Sequence, residues 1–218
     1  MSTVALVTAI YDGYDTLKPF PAQTASVDAV CVTDDPDLAC EGWRMIYEPR
    51  PGVHPNRAAK RPKMMPTLYS GAVRSVWLDA SFEIVSPTFV AEAIAHVDGE
   101  QPIAQFEHPW RDCIYDEAEA SLVLAKYAGE PIAEQVQHHS EDGHPPRWGL
   151  WATGVIARHH TPAVRRFGEL WLTFCNVWSF QDQLSEAPAL RRCGLRPAAF
   201  PGDHMTNPWL VYKASGRH

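Results

Sequence analysis

The sequence predicts an α/β fold in which helices cover both faces of a mainly parallel central sheet. Short apolar runs rich in β-branched residues, such as TVALVTAIY (3–11) and VDAVCVTDD (27–35), end in polar residues and are typical of buried strands. Segments of helical length alternate with the strands, and this alternation indicates parallel pairing. The 218 residues, 45% of them hydrophobic, suffice for one sizeable core, so we expect a single domain.

The remaining elements follow in order along the chain. A weaker third strand is predicted over 43–49, and SVWLDASFEIV (75–85) is a fourth strand broken by Asp79. Between them, Pro62 and Pro66 keep any helix short or kinked. Further strands are predicted over 101–109 and 149–159, and helices over 86–97, 112–129, 131–139, 161–178 and 179–194. The tail that follows is predicted to be irregular.

Charge, cysteine content and the N-terminal stretch argue against several classes of protein. The formal net charge of −7 gives no overall attraction for nucleic acid or for an anionic membrane. The 5 cysteines form no CxxC pair, which is typical of reduced thiols and not of a disulfide framework or a zinc site. No basic leader precedes the first strand, and no apolar run approaches the roughly 18 residues of a membrane span. We therefore expect a cytoplasmic protein.

Polar side chains follow three of the predicted strands at the points where those strands end. Asp12 follows the first strand, Asp34 and Asp35 end the second, and Asp79 with Ser81 interrupts the fourth. If the strands are parallel, these side chains meet at one edge of the sheet, and ligands of parallel α/β proteins bind outside that edge. The sequence therefore predicts a binding site there.

Asp79 is the most informative of these residues, because a lone carboxylate inside an apolar strand needs a partner. One interpretation is that Asp79 and Ser81 provide oxygen ligands for Mg²⁺ or Mn²⁺, hard ions that prefer such donors. The other is that the Asp79 side chain caps the turn that follows it. The strand alone does not distinguish between the two.

A cationic segment precedes this strand. Arg57, Lys60 and Lys63 are spaced three residues apart, so on a helix they lie near one face and suit a diphosphate. A solvated helix face is the simpler alternative for such a pattern, and it is favoured when the segment is considered alone.

Two polar clusters in the second half of the chain are candidates for sugar recognition. The loop-to-helix junction HPWRDCIYDEA (108–118) supplies donors, and SFQDQLS (179–185) supplies amides and a carboxylate, which hydroxyl groups require. Helix capping is the alternative explanation for both clusters. The side chains concerned are His108, Arg111, Tyr115, Gln181, Asp182, Gln183 and Ser185.

The histidine-rich segment HHSEDGH (138–144) is predicted to be a surface loop and not a zinc site, because adjacent histidines rarely bind one ion. The sequence contains no GxSxG, P-loop, GxGxxG or HExxH motif. The sequence therefore lacks the usual signals of serine hydrolases, P-loop NTPases, simple dinucleotide-binding proteins and zincins.

Taken in order, six stretches of the chain resemble a glycosyltransferase of the GT-A type, and specifically the TOD/mucilage-related glycosyltransferase-like family. Together they span residues 8 to about 185. The tail GDHMTNPW (202–209) also resembles the His…Pro-Trp ending of retaining family 8 glycosyltransferases, in which a histidine joins the DxD motif on the metal. The six stretches are TAIYDGYDTLKP (8–19), VCVTDDP (30–36), AAKRPKMMP (58–66), VWLDASFEI (76–84), EHPWRDCIYDEA (107–118) and QDQLS (181–185).

The resemblance implies a single GT-A (Rossmann-like) domain over residues 1–218, with a nucleotide-binding half at about 1–85 and a sugar- and acceptor-binding half at about 86–218. It implies that the chain transfers a sugar from a nucleotide-sugar, with a UDP-sugar favoured, to a hydroxyl of a glycan, lipid-linked or small acceptor. The same analogy implies a retaining outcome and assistance by Mn²⁺ or Mg²⁺, because metal and cations stabilise charge on the leaving nucleotide.

The resemblance also implies roles for the candidate residues. The nucleotide and its diphosphate are implied to contact Thr8, Ala9, Tyr11, Asp34, Asp35, Arg57, Lys60 and Lys63. The sugar and acceptor are implied to contact His108, Arg111, Tyr115, Gln181 and Gln183, and Asp182 to face the reacting centre. The implied metal ligands are Asp79, Ser81 and His204. Should inversion be observed, Asp182 or Glu117 becomes the base that deprotonates the acceptor.

One departure from the family pattern matters. A DxD motif has two acids, and this chain has Ser81 in place of the second. A hydroxyl is a weaker metal ligand than a carboxylate, which leaves two alternatives open: low metal affinity, or a diphosphate held by the cationic segment instead.

Two further functions stand as alternatives. In the first, the acceptor is a modified DNA base held by Trp148, Trp151 and Trp209, although the net acidity opposes DNA binding. In the second, the chain binds a nucleotide-sugar without turning it over, as the serine in the DxD position suggests. The sequence carries no signal for the identity of the sugar or for an oligomeric state.

Overall fold

Strands and helices alternate along residues 3–214, the part of the chain that the computed structural model describes. In that part the strands are β1 (Val4–Ile10), β2 (Val27–Thr33), β3 (Arg44–Tyr47), β4 (Arg74–Leu78), β5 (Phe82–Ile84), β6 (Ile103–Glu107), β7 (Trp151–His159), β8 (Ala198–Ala199) and β9 (Leu210–Tyr212). The helices are α1 (Pro55–Ala58), α2 (Lys60–Met64), α3 (Phe89–Ala95), α4 (Ile114–Leu122), α5 (Ile132–Glu141), α6 (Pro162–Val177) and α7 (Asp182–Arg192). Among these residues no helix has both the length and the apolar character needed to cross a membrane.

The central sheet has seven strands in the order β3-β2-β1-β4-β7-β6-β8. β1 pairs in parallel with β2 and β4, and β3 pairs in parallel with β2. β7 runs antiparallel to β4 and β6, because it begins at Trp151 beside Glu107, the last residue of β6, and must return along the sheet. The predicted α/β fold with a mainly parallel sheet is therefore confirmed, with β7 departing from parallel pairing.

Successive residues of the central strands face opposite sides of the sheet, as strand geometry requires. Ala5 and Val7 of β1 lie in the core formed with α2 and with α4 to α7. Val4 and Leu6 lie in the core on the other side, formed with α3 and with Phe200, Trp209 and neighbouring residues of the tail. Helices thus cover both faces of the sheet, as predicted.

The short helix α2 is fixed by two close contacts. A Cβ atom at Gly168 of α6 would stand 2.3 Å from the carbonyl oxygen of Met64, so only glycine allows the two helices to approach this closely. Arg158 of β7 is 1% exposed and donates from Nη1 to the carbonyl of Lys63 at 2.7 Å. The backbone that carries the predicted cationic face is therefore held by the core.

Several predicted boundaries are wrong. The run 75–85 forms two strands in different sheets, because the chain turns after Leu78 and β5 then pairs with β9. The predicted helix over 112–129 ends at Leu122, because Leu124 is extended. The predicted helix over 179–194 begins at Asp182, the first residue of α7. The tail, predicted to be irregular, contributes β8 to the central sheet and β9 to the small one.

The histidine-rich segment is not the predicted surface loop. His138 and His139 belong to α5, and both His139 and His144 are buried. Burial lowers the pKa of His139 and of His144 to about 4, so both rings are neutral at physiological pH. His139 packs against Phe174 of α6 with ring centroids 5.3 Å apart, so this histidine belongs to the core, while residues 140–143 are exposed.

Candidate active site

A cleft of about 260 Å³ opens at the carboxyl ends of β1 and β4. Its walls come from these strand ends, from α1 and α2, from a 3₁₀ helix over Ala125–Tyr127 and from the start of α7. Ligands of parallel α/β proteins bind at this edge of the sheet. The predicted site residues in its lining are Ala9, Lys60, Lys63, Asp79, Ser81, Gln181, Asp182 and Gln183.

Asp79 follows β4 directly, where the chain leaves the sheet. Its Oδ1 atom accepts hydrogen bonds from Trp77 Nε1 at 2.6 Å and from Lys63 Nζ at 3.4 Å. The turn itself is closed by the backbone, since Phe82 N–H donates to the Asp79 carbonyl at 3.0 Å. The side chain is 39% exposed, and its Oδ2 atom accepts no hydrogen bond from residues 3–214. Asp79 therefore presents one free carboxylate oxygen to the cleft.

Asp182 opens α7 and has both carboxylate oxygens engaged. Its Oδ2 atom lies 2.8 Å from Lys60 Nζ and 2.8 Å from Lys63 Nζ, and its Oδ1 atom accepts from Thr153 Oγ1 at 3.0 Å. The indole of Trp171 donates to its backbone carbonyl at 2.8 Å, which fixes the start of the helix. Asp182 is 5% exposed, so this is a buried carboxylate held in place by two ammonium groups.

Both partners of this buried ion pair are charged at neutral pH. Burial alone would raise the pKa of Asp182, but the ammonium groups of Lys60 and Lys63 outweigh it and hold that pKa well below its usual range. Burial alone would lower the pKa of Lys63, but the carboxylates of Asp182 and Asp79 outweigh it and raise that pKa. A fixed charge network therefore forms the base of the cleft.

A second buried polar group lies behind this network. Glu186 of α7 is 1% exposed and accepts a hydrogen bond from Gln105 Nε2 at 2.8 Å. Burial raises the pKa of Glu186 to about 8, with the charge of Asp182 adding to the shift and Gln105, Lys63 and Arg158 opposing it. At neutral pH the Glu186 carboxyl group is therefore largely protonated.

The predicted sugar-binding cluster forms a network beside the cleft. Gln181 Nε2 donates to Glu117 Oε1 at 2.9 Å, and Glu117 also accepts from Arg111 and lies 3.6 Å from His108 Nε2. Burial lowers the pKa of His108 to about 4 and raises the pKa of Glu117. Gln183 Nε2 donates to the carbonyl of Trp151 at 3.0 Å. Gln181 and Gln183 line the cleft, while the rest of the network lies behind them.

Comparison with known families gives this arrangement a context. Residues 27–198 match the family described as TOD1/MUCI70, glycosyltransferase-like domain. This match covers most of the chain and includes all four elements that carry the charge network, namely α2, β4, β7 and α7. The chain belongs to this family. No curated protein matches the sequence significantly.

Among solved structures, this chain is similar to the apo structure of WbbM, a bifunctional glycosyltransferase. The TM-score is 0.51 at 13% sequence identity, and the similar region covers 92% of this chain. It covers 39% of the WbbM chain, so this chain spans about two fifths of that protein. At this identity the likeness concerns the fold, and it agrees with the α/β architecture described above.

Several donor-binding residues that the family resemblance implies lie outside the cleft. Thr8 and Tyr11 are buried, and Tyr11 donates its hydroxyl to Glu48 Oε1 at 3.0 Å. Arg57 is committed to the protein, since its guanidinium donates to the carbonyl of Cys175 at 2.6 Å and to Glu130 at 2.7 Å. The structure therefore brings Ala9, but not these three, to the cleft.

The acids at the end of β2 face a different part of the sheet edge. Asp34 accepts from the backbone N–H of Asp12 at 2.8 Å and from Arg50 Nε at 2.6 Å. Asp35 accepts from the backbone N–H of Asp37 at 2.9 Å. Tyr115, from the sugar-binding set, donates to the carbonyl of His144 at 2.6 Å and is likewise outside the cleft.

The donors in the cleft do not fit the metal site that the GT-A resemblance implies. Asp79 contributes a single carboxylate, one oxygen of which is already bonded to an indole and an ammonium group. Ser81 offers a hydroxyl and not a second carboxylate, and His204 does not line the cleft. Within residues 3–214 no three His, Cys, Asp or Glu side chains lie close enough together to hold one ion.

The three tryptophans named for a DNA-base acceptor do not share a pocket. Trp151 is buried in the core on one side of the sheet, and Trp148 packs against it with centroids 5.7 Å apart. Trp209 is buried in the core on the other side and donates to Glu92 at 2.7 Å. The aromatic pocket that a flipped base requires is therefore not built from these residues.

Several residues of the site were missed by the sequence analysis, among them Asn56 and Tyr14 in the cleft lining. Thr153 links Asp182 to β7, and Lys126 and Tyr127 form one wall of the cleft through the 3₁₀ helix that ends the predicted 112–129 helix. Glu186 lies one turn after Asp182 in α7. The spacing between Asp182 and Glu186 could have placed both on one helix face, whereas nothing in the local pattern marks Thr153.

Proposed function

We propose that this TOD1/MUCI70-family protein transfers a sugar from a nucleotide-sugar, preferably a UDP-sugar, to a hydroxyl acceptor with retention of configuration. The observation that carries the proposal is that Lys60, Lys63, Asp79 and Asp182 converge in one cleft from three separate parts of the chain. A diphosphate requires fixed positive charge, and sugar hydroxyls require carboxylate and amide partners. This cleft contains both kinds of group.

The donor nucleotide fits the end of β1. Ala9 has a small side chain there, and Asn56 of α1 and Tyr14 provide polar groups on the same wall. Lys60 gives one of its three N–H groups to Asp182 and is the ammonium group placed to contact a diphosphate, with Lys126 on the opposite wall. Fixed ammonium groups at this point stabilise the charge that develops on the leaving nucleoside diphosphate.

The sugar fits the part of the cleft between Asp79 and α7. The free Oδ2 atom of Asp79 can accept a hydrogen bond from a sugar hydroxyl, and Gln181 and Gln183 add amide groups to the lining. These two amides are held by hydrogen bonds to Glu117 and to the Trp151 carbonyl, so they are oriented before the substrate binds. Such pre-orientation lowers the entropic cost of positioning the sugar.

Asp182 suits the reacting centre because it stays ionised. A fixed carboxylate beside the anomeric carbon stabilises the positive charge that forms on the sugar as the leaving group departs. The acceptor oxygen then bonds to the anomeric carbon as the bond to the nucleoside diphosphate breaks, and the departing phosphate oxygen takes the acceptor proton. If the product is inverted instead, Glu117 is the better of the two candidate bases, because burial raises its pKa, whereas two ammonium groups lower the pKa of Asp182.

A screen of UDP- and GDP-sugars by thermal shift and by donor hydrolysis, each with and without Mn²⁺, tests the proposal. We expect a UDP-sugar to raise the melting temperature and to be hydrolysed slowly without an acceptor. The anomeric configuration of the released sugar, observed by NMR before mutarotation, reports retention or inversion. If no nucleotide stabilises the protein, the proposal is wrong. Stabilisation without turnover would indicate the inactive, sugar-nucleotide-binding alternative.

A further inference from the structure

Lys63 lies between two carboxylates of the cleft, those of Asp79 and Asp182. Its Nζ atom is 2.8 Å from Asp182 Oδ2 and 3.4 Å from Asp79 Oδ1. The third donor position is used by Thr153, whose Oγ1 atom is 3.2 Å away. An ammonium group has three N–H donors, and all three are directed at these partners. The space in which two carboxylates of the cleft could share a cation therefore already holds one.

The position of Lys63 is fixed by burial and by contacts of its backbone with the core. The side chain is 5% exposed, and its Nζ atom lies 5.7 Å from the centre of the Trp77 ring. Arg158 holds its carbonyl, and the close approach at Gly168 fixes the next residue of α2. A buried ammonium group is costly unless it is fully paired, so this degree of support indicates a specific role for the charge.

The charges in the cleft balance without a metal ion. Asp79 and Asp182 contribute two negative charges, and Lys60 and Lys63 contribute two positive charges, while Asp15, the third carboxylate in the lining, is paired with Lys18 at 3.1 Å. A divalent ion placed between the carboxylates would meet the Lys63 ammonium at close range, where the low dielectric makes repulsion strong. The surplus positive charge for a bound diphosphate is available from Lys126, which lines the cleft and has no carboxylate within ion-pair distance in residues 3–214.

We propose that Lys63 takes the place of the divalent cation, so that donor binding and sugar transfer proceed without metal. The ammonium group keeps Asp79 and Asp182 in position and supplies the positive charge that a GT-A metal ion would supply. This inference rests on the proposed function for the transfer step, but the metal-binding property of the cleft can be measured without it.

The first test compares donor hydrolysis by the metal-stripped protein in excess EDTA and in excess Mn²⁺. We expect the rates to agree within about twofold. A rate that falls about tenfold or more in EDTA and returns with Mn²⁺ would overturn the proposal.

The second test changes the lysine. Lys63→Ala is expected to lower donor hydrolysis by about 100-fold and to make the remaining rate dependent on Mn²⁺, because the two carboxylates are then free to bind an ion. Lys213→Met, which removes an exposed lysine outside the cleft, is the matched control and is expected to leave both the rate and its independence from Mn²⁺ unchanged. A Lys63→Ala protein as active as the wild type in EDTA contradicts the inference.

Calorimetric titration with Mn²⁺ alone separates this inference from the proposed function and does not depend on a folded variant. We expect no stoichiometric Mn²⁺ binding to the wild-type protein. Stoichiometric binding that is lost in Asp79→Asn overturns the role of Lys63, whether or not any nucleotide-sugar is a substrate. If no nucleotide-sugar binds under any condition, the proposed function fails, and the titration still decides whether Lys63 excludes the ion.

Discussion

Two groups of ion pairs lie at the same edge of the sheet, and they differ chiefly in burial. At the ends of β1 and β2, Arg50 lies 2.9 Å from Asp12 and 2.6 Å from Asp34, and the Asp12 side chain is 56% exposed. Beyond the end of β4, Lys63 lies 2.8 Å from Asp182, and these side chains are 5% and 7% exposed. The first group faces solvent, whereas the second forms the base of the cleft.

The comparison shows that acids after parallel strands do not by themselves indicate a site. A partly exposed ion pair is screened by water and contributes about 1 kcal/mol or less to stability. A buried network is costly to desolvate, and removing one member leaves its partners buried and uncompensated. Among residues 3–214 the ion pair with the least exposed side chains, Lys63 with Asp182, lies at the base of the cleft, which is why we assign function to the second group and not to the first.

The largest effect is expected for Asp182→Asn. The substitution leaves Lys60 and Lys63 without their shared carboxylate, so we expect the free energy of unfolding to fall by about 3 kcal/mol. Donor hydrolysis should fall by about 100- to 1,000-fold, since the charge at the reacting centre is lost. Urea unfolding and steady-state kinetics measure the two effects.

Asp142→Asn is the matched control for this experiment. Asp142 also forms an ion pair, with Arg192, but at the surface and away from the cleft. We expect its substitution to change the free energy of unfolding by about 0.5 kcal/mol or less. Equal effects of the two substitutions would show that burial does not set the cost of breaking an ion pair in this protein.

The second prediction concerns pH and Glu186. The unfolded chain releases the Glu186 proton near pH 4.5, whereas the folded protein keeps it up to about pH 8. Between these values the folded state holds the extra proton, so this group lowers stability as the pH rises. Glu186→Gln should match the wild type at the acidic end and be more stable by a few kcal/mol at the alkaline end. Urea unfolding across this range measures the difference, with the exposed Glu169→Gln as the control.

If Glu186→Gln and the wild type keep a constant difference in stability across that range, the buried carboxyl group does not titrate as expected. In that case Glu186 would titrate like a solvent-exposed carboxyl group, and the buried region behind the cleft would differ less from the solvent-facing ion pairs than the structure indicates.

A smaller effect is expected for Asp79→Asn, which lies between the two groups in exposure. Lys63 keeps its closer partner Asp182, and the amide oxygen still accepts from Trp77, so the free energy of unfolding should change by about 1 kcal/mol or less. The free carboxylate oxygen is lost, and kcat/KM for the donor should fall by about 10- to 100-fold. Unchanged kcat/KM would mean that Asp79 does not contact the sugar.

Much of the fold could be predicted because local patterns carry it. The apolar runs over 3–11 and 27–35 became β1 and β2, and Thr161 with Pro162 begins α6 as expected, with the Thr161 hydroxyl accepting from Val164 N–H at 3.3 Å. The direction of β7 and the strands β8 and β9 could not be predicted in this way. They depend on pairing with distant strands, and β8 and β9 are 2 and 3 residues long, too short to show a period.

The candidate site could be predicted in part for the same reason. Asp79, Lys60 and Lys63 follow from strand ends and helix spacing, and the resemblance added Asp182. That Lys63 pairs with Asp182 could not be foreseen, because the contact depends on how α2 packs against α6 and α7. Arg57 has the same spacing as the two lysines, yet it bonds to Cys175 and Glu130 instead.

The smallest effect is expected for Arg50→Ala, which removes the centre of the solvent-facing group. Arg50 also donates to the carbonyl of Val53 at 2.6 Å, so three contacts are lost at once. Water can replace these contacts, because Asp12 is exposed and Asp34 still accepts a hydrogen bond from the backbone N–H of Asp12. We therefore expect the free energy of unfolding to fall by about 1 kcal/mol. Donor hydrolysis should be unchanged. A loss of activity comparable to that of Asp79→Asn would extend the functional site along the sheet edge to β2. Burial would then no longer separate the functional group of ion pairs from the solvent-facing group.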